Sequence, residues 1–145
     1  LRIAGEGEER PSLEALIEKL GLSGCVKLMG MLTADEVERE MLSAAIYAST
    51  SKSEGLSFAL VEAMSCGMAP VVFDVRVGPG ATITDGVNGY LVPDGDEAAF
   101  AERLLALINS PELIAELRAN AERRAQDFSR ENISRQWFDL LEDKE

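Results

Sequence analysis

The chain has 145 residues, 46% hydrophobic and 28% charged, with 26 acidic against 14 basic side chains and a formal charge of −12. Such a size and composition belong to one ordinary globular domain able to bury a core, and the acidic balance, with no basic stripe, argues against a nucleic-acid or anionic-membrane binder. Histidine is absent and the two cysteines, Cys25 and Cys66, have no ligand-like spacing, so metal ligation and histidine-based catalysis are set aside.

Both thiols are expected to be free and buried in a reducing cytoplasm. No apolar run approaches the roughly 20 residues that cross a bilayer. The chain opens on Leu1, inside an apolar run, and is expected to be a piece of a longer protein.

Taken in order, strand-like and helix-like segments alternate. Leu1 to Ala4 reads as a strand that runs into the turn Gly5-Glu6-Gly7. A helix follows, with Pro11 in its first turn, Leu13, Leu16, Ile17 and Leu20 on one face, and Gly21 as its stop. Gly5 and Gly7 are too few for a dinucleotide fingerprint, whose third glycine is missing. Val26 to Met29 is the next strand, closed by Gly30. Thr33 then caps a helix from Ala34 to Leu42, with Glu36 at the capping-box position.

Ala45 to Ala48 reads as a buried strand, and the stretch 53–67 after it organises the rest. Leu56, Leu60, Val61 and Met64 fall at helical spacing, Ser57 is the expected N-cap, and Gly67 the expected C-terminal stop. The start of such a helix is an anion site. Amides near Leu56, Ser57 and Phe58 and the positive end of the helix dipole favour a phosphate, and Gly55 leaves room for it. Glu54 and Glu62 accept hydrogen bonds only, which suits sugar hydroxyls. The competing reading is that Glu62 is a solvated helix residue and that Glu54 merely complements the dipole.

Val71 to Phe73 is a further strand, Gly78-Pro79-Gly80 a turn-rich loop, Asp85-Gly86 and Asn88-Gly89 strong turns, and Tyr90 to Val92 an edge strand ended by Pro93. From Asp96 the pattern is helical. One helix ends at Asn109-Ser110-Pro111, a second runs to about Phe128, and a third is capped by Ser129. Their apolar residues, Trp137 among them, are expected in the core. Strands alternating with helices predict an α/β fold, a doubly wound parallel sheet covered on both faces, with ligands at the carboxyl ends of the strands.

Glu54 and Glu62 with Gly55, Ala63, Met64 and Gly67 resemble the glutamate–seven–glutamate motif of retaining family-4 (group 1) glycosyltransferases. The resemblance continues through Pro70-Val71-Val72, Gly78-Pro79 and 85–93. The version here is similar to bacterial transferases that glucosylate poly(glycerol-phosphate) or serine-rich surface proteins. One departure is Ala81, where related sequences carry a glutamate.

The resemblance implies that residues 1–145 form the C-terminal, donor-binding half of a GT-B fold, which normally works without a catalytic metal and calls for no cofactor. It implies a uridine- or guanosine-diphosphate sugar, with Glu62 on the ribose and Glu54, the candidate catalytic residue, on the hexose. The diphosphate would lie on the amides of Leu56, Ser57 and Phe58. Gly7 would border the donor cleft, with Gly30 and Met31 near the base. The acceptor, a glycan, polymer or protein, would be held by another domain. The Arg and Lys that neutralise the diphosphate would precede Leu1, so the chain alone is expected to transfer no sugar. In the family's strand order the missing first strand is central, and the edges left open would favour self-association. The location expected is cytoplasmic, at most peripheral to the membrane. Two other classes stay open: a non-catalytic nucleotide or sugar-phosphate binding module, and a dinucleotide-dependent oxidoreductase, which the incomplete glycine fingerprint disfavours.

Overall fold

The computed structural model describes residues 1–76 and 78–142. The chain divides into two compact units, Leu1–Glu40 and Met41–Glu145.

In the first unit, β1 (Arg2–Ala4) and β2 (Lys27–Gly30) pair in parallel, with Ile3 opposite Leu28. The connecting helix α1 (Arg10–Lys19) begins with Pro11 in its first turn, where the missing N–H costs nothing. Gly21 follows it with φ +67°, a left-handed conformation that only glycine adopts without strain. Helix α2 (Ala34–Leu42) starts in the expected capping box. Thr33 N donates to Glu36 Oε2 at 2.8 Å, and Glu36 N donates back to Thr33 Oγ1 at 3.4 Å. The Thr33 N–H, together with the Thr33 hydroxyl that donates to the same oxygen at 2.9 Å, holds the Glu36 carboxyl below the ordinary glutamate range.

The second unit is built on β3 (Ile46–Ser49), β4 (Ala69–Asp74) and β5 (Tyr90–Pro93), all parallel, in the order β3-β4-β5. The helices are α3 (Phe58–Ser65), the single turn α4 (Pro79–Thr82), α5 (Glu97–Asn109), α6 (Pro111–Ala125), and, after a 3-10 turn at 126–128, α7 (Arg130–Glu142). Successive β4 side chains face opposite ways, and each face has its own cover. Val71 and Phe73 pack with Val92, Phe100, Leu107 and Leu117 under α5 and α6, where the Phe73 and Phe100 rings meet edge to face at 5.1 Å. Val72 packs with Leu60, Met64, Ala121 and Ala125 under α3 and α6. Burial on both faces explains why β4 reads as an unbroken apolar run.

α3 is the pivot. Its buried side chains are Leu60, Ala63 and Met64, and it ends in a Schellman turn. Met68 N donates to Ala63 O at 3.0 Å and Gly67 N to Met64 O at 2.9 Å, with Gly67 at φ +70°. Asp96 and Ser110 cap α5 and α6 through their side chains.

The described strands are all parallel, as expected of an α/β fold, and form sheets of two and three strands. Several other expectations need correction. The loop expected at 78–80 leads into α4. Cys25 is exposed and Cys66 half-buried, and no disulfide joins them. On α7, Ile133, Trp137, Phe138 and Leu141 are exposed, so their spacing marks an apolar face but not a core contact. Among the described residues no helix is long and apolar enough to cross a membrane.

Candidate functional site

The loop 50–57 joins the carboxyl end of β3 to the start of α3, which places it at the ligand edge of a parallel sheet. Ser57 occupies the N-cap position in an extended conformation, and its carbonyl accepts from Val61 N at 3.2 Å, the first helical bond. The four amides before Val61 are left for another acceptor by the geometry of any helix start; those of Ser57 and Phe58 are among them, and that of Leu56 lies one residue outside. The Ser57 hydroxyl does not cap the helix, contrary to expectation. It lies with Tyr47 and Ser49 in the lining of one crevice.

Tyr47 is half-buried and lines the crevice with Glu54. Burial pushes its phenol above the ordinary value of 10.0; the Ser49 and Ser57 hydroxyls pull the other way, and the charges of Glu54 and Glu62 add to the rise. Both carboxylates therefore act on one phenol beside the start of α3. Ser49 and Ser51 hydroxyls lie 3.2 Å apart. With Tyr47, Glu54, Ser57 and Pro79 they line a narrow crevice of about 10 Å³, room for about one water molecule. Glu62 is exposed and Glu54 half-buried. Leu56 and Phe58 are exposed, at 48% and 73%, so neither side chain contributes to the core.

The loop after β4 closes against this one. Gly78 has φ +127°, and a Cβ there would lie in hard contact with the Gly55 carbonyl oxygen and 3.1 Å from Glu54 Cβ and Glu54 O. Only glycine fits. Asp74, Val75, Arg76, Gly78, Gly80 and Ala81 line a cleft of about 480 Å³, within the usual size of a small-molecule site. Ala81, the departure from the family pattern, is exposed, and its carbonyl is bound by Arg124 Nη2 at 2.7 Å.

The first unit brings its own three candidates together. Gly5 N donates to Gly30 O at 2.8 Å, and Gly7 O accepts from Arg10 N at 3.1 Å as α1 begins. A Cβ on Gly30, at φ +74°, would stand 3.0 Å from Glu6 Oε1, and Met31 beside it is 76% exposed. The loops after β1 and β2 thus meet at one end of that small sheet.

Tyr47, Ser49, Ser51 and Arg124 escaped sequence reasoning. An alternating strand pattern could have flagged Tyr47 and Ser49 as sharing a face, but not which face. Arg124 carried no local signal.

A sequence profile of the glycosyl transferases group 1 family matches residues 1–126. The chain is similar to the poly(ribitol-phosphate) alpha-N-acetylglucosaminyltransferase of Staphylococcus aureus (strain COL), with 32% identity over 140 residues that make up 96% of this chain and 28% of that protein. Among solved structures it is similar to Anabaena HepE in complex with UDP-glucose, with a TM-score of 0.84 and 28% identity, covering 98% of this chain and 40% of that one. It is also similar to the pneumococcal O-GlcNAc transferase GtfA in complex with UDP and GlcNAc, with a TM-score of 0.84 and 27% identity over 98% of this chain and 29% of that one. The chain thus spans from 28% to 40% of the length of these relatives. The expected α/β class, matching part of GT-B structures, agrees with these likenesses. With residues 1–126 of 145 inside that profile, the chain belongs to the glycosyl transferases group 1 family.

Proposed function

We propose that the chain is the donor-binding domain of a retaining glycosyltransferase that transfers a hexose from a nucleotide-diphosphate sugar to a glycan, polymer or protein acceptor. The observation that carries this reading is that Glu54 and Tyr47 line one crevice with Ser57, the N-cap of α3, and that Glu62 stands inside the same helix. The presence of UDP with glucose or GlcNAc in the related structures supports a uridine-diphosphate sugar as the ligand.

In this reading the amides of Leu56, Ser57 and Phe58 hold the diphosphate, Glu62 accepts from the ribose, and Glu54 accepts from the hexose at the reacting end. Gly7, Gly30 and Met31 border the nucleotide. Negative charge develops on the leaving diphosphate during transfer, and N–H donors already aimed there stabilise it without reorganising. No metal and no cofactor take part, and the work is done in the cytoplasm. β3, with its apolar and uncharged residues, carries no edge protection against a further strand, so the purified chain is expected to self-associate. Sedimentation at rising concentration tests that, and a strict monomer counts against it.

Titration calorimetry with UDP-glucose, UDP-GlcNAc, UDP and NAD tests the main reading. Binding of at least one UDP-sugar, with none of NAD, is expected. Glu54→Gln should weaken the UDP-sugar more than UDP, because the altered acceptor faces the hexose. Equal losses for the two ligands would mean that Glu54 shapes the loop and does not read sugar.

A further inference from the structure

Helix α6 lies outside the ligand edge, yet its arginines hold the far ends of both short helices that abut the site. Arg118 Nε donates to Gly67 O, just past the C-terminus of α3. Arg124 grips α4: Nε donates to Thr82 O at 3.2 Å and Nη2 to Ala81 O at 2.7 Å. Its Nη1 bonds Asp127 Oδ2 at 2.7 Å, and the guanidinium lies 5.0 Å from the centre of the Phe128 ring. Every nitrogen of this side chain is thereby engaged, and its plane is fixed from two sides.

The fixed group bears on the site through α4, which is only four residues long. Too short to be stable by itself, α4 depends on outside partners. Its carboxyl end is held by Arg124, with Asn88 Nδ2 on the same Thr82 carbonyl at 3.1 Å. Its amino end is Gly78-Pro79, where Gly78 touches the Glu54–Gly55 backbone and Pro79 lines the crevice with Glu54 and Ser57. A displaced turn would therefore free the loop that carries Glu54.

We propose that Arg124 is a positioning residue of the donor site, fixing Glu54 through α4 and Gly78. The proposal rests on the donor reading above for what Glu54 binds, while its mechanical part does not. Arginine is required because one planar group must reach two successive carbonyls while stacking on a ring, which an ammonium cannot do. The contribution is made to geometry and not to charge at the ligand.

The test compares Arg124→Ala and Arg124→Lys with the parent chain in two measurements. The first is amide NMR without ligand. Shifts and faster hydrogen exchange are expected at Gly78, Glu54 and Gly55 in Arg124→Ala, with the β4 amides unchanged. Changes confined to residues 79–82 and 124–128 would overturn the positioning role.

The second measurement is calorimetry. UDP-sugar affinity should fall about tenfold in Arg124→Ala, as for a displaced charge-assisted hydrogen bond, while UDP affinity stays within about twofold. Arg124→Lys should fall between the two. In a Glu54→Gln background Arg124→Ala should add nothing to the loss, since the group it positions is gone. Full additivity, or equal losses of UDP and UDP-sugar, would overturn the proposal and leave Arg124 a stabilising residue. Failure of the parent chain to bind any UDP-sugar would instead refute the donor reading, and the NMR comparison would still decide the mechanical claim.

Discussion

Replacing Gly78 with alanine isolates the contact between the two loops of the site. At φ +127° an alanine is strained by about 1–3 kcal/mol, before any collision is counted. The added methyl also meets backbone, not a flexible side chain: the Gly55 carbonyl would have to retreat by roughly 1 Å to reach ordinary contact distance. Two responses are open to the protein. It can distort α4, or it can push the Glu54–Gly55 segment outward. Core residues under β4 lie away from this contact, so the fold should persist with Tm lowered by roughly 2–12 °C. If the loop yields, the proposed bond of Glu54 to the sugar is lost, about 1.5–3 kcal/mol or roughly ten- to a hundredfold in affinity.

Gly86→Ala is the control. Gly86 has φ +71° and nothing within 4 Å of an added Cβ, so it carries backbone strain of roughly 1–2 kcal/mol without any collision. Thermal melts and UDP-sugar calorimetry on both variants separate stability from binding. A larger loss of Tm in Gly78→Ala than in Gly86→Ala, with a loss of affinity in Gly78→Ala alone, is the expected result. Wild-type affinity in Gly78→Ala would refute the claim that this contact sets the position of Glu54.

Other consequences are as direct. Glu62→Ala should weaken UDP by about 1.5–3 kcal/mol if its carboxylate accepts from the ribose, with the fold intact by circular dichroism; unchanged affinity would remove it from the site. Because the Tyr47 phenol is raised above 10.0 in the folded chain, chiefly by burial, its contribution to stability is fully present below that value. It should disappear as pH climbs through the higher folded value, and Tyr47→Phe should blunt this alkaline loss in denaturant titrations. UDP affinity should stay level or rise slightly between low and physiological salt, since amides and not cations are proposed to hold the diphosphate. A tenfold fall would show that basic side chains such as Lys52 or Arg76 do the holding.

Much of the architecture was legible because local and global signals agree in it. The Thr33–Glu36 box, the stop at Gly67, the helix end at Asn109-Ser110-Pro111 and the Ser129 cap are short-range features whose chemistry is complete within a few residues. The apolar run of β4 needs only the knowledge that parallel strands are covered twice. α4 was hidden for the opposite reason. Gly78-Pro79-Gly80 favours a turn locally, and the helix exists because Arg124, 42 and 43 residues further on, binds its last two carbonyls. Ser57 shows what spacing cannot reveal: it stands at the N-cap position, yet its hydroxyl makes no capping bond and the residue lines the crevice with Tyr47 instead. Trp137 marks a third limit. Periodicity identifies the apolar face of α7 but is silent about what, if anything, covers it.

An acidic chain is an unexpected host for the proposed diphosphate ligand, and the construction of the candidate site reconciles the two. A net charge of −12 matters little at contact range, because at physiological salt charges beyond about 8 Å are largely screened. What remains local is of two kinds. The first turn of α3 offers N–H donors and the positive end of a dipole, while Glu54 and Glu62 beside it offer acceptors that repel phosphate. A ligand that is only an anion gains from the first and loses to the second. A ligand with hydroxyl-bearing rings on either side of a diphosphate satisfies all of them, donor facing acceptor throughout. In the proposed reading the carboxylates thus act against the wrong ligand as well as for the right one, so that inorganic phosphate is excluded by the same groups that hold the sugar. Such discrimination requires the acceptors to stay at fixed positions beside the phosphate, which is why the contacts behind Glu54, from Gly78 back to Arg124, belong to the chemistry of the site.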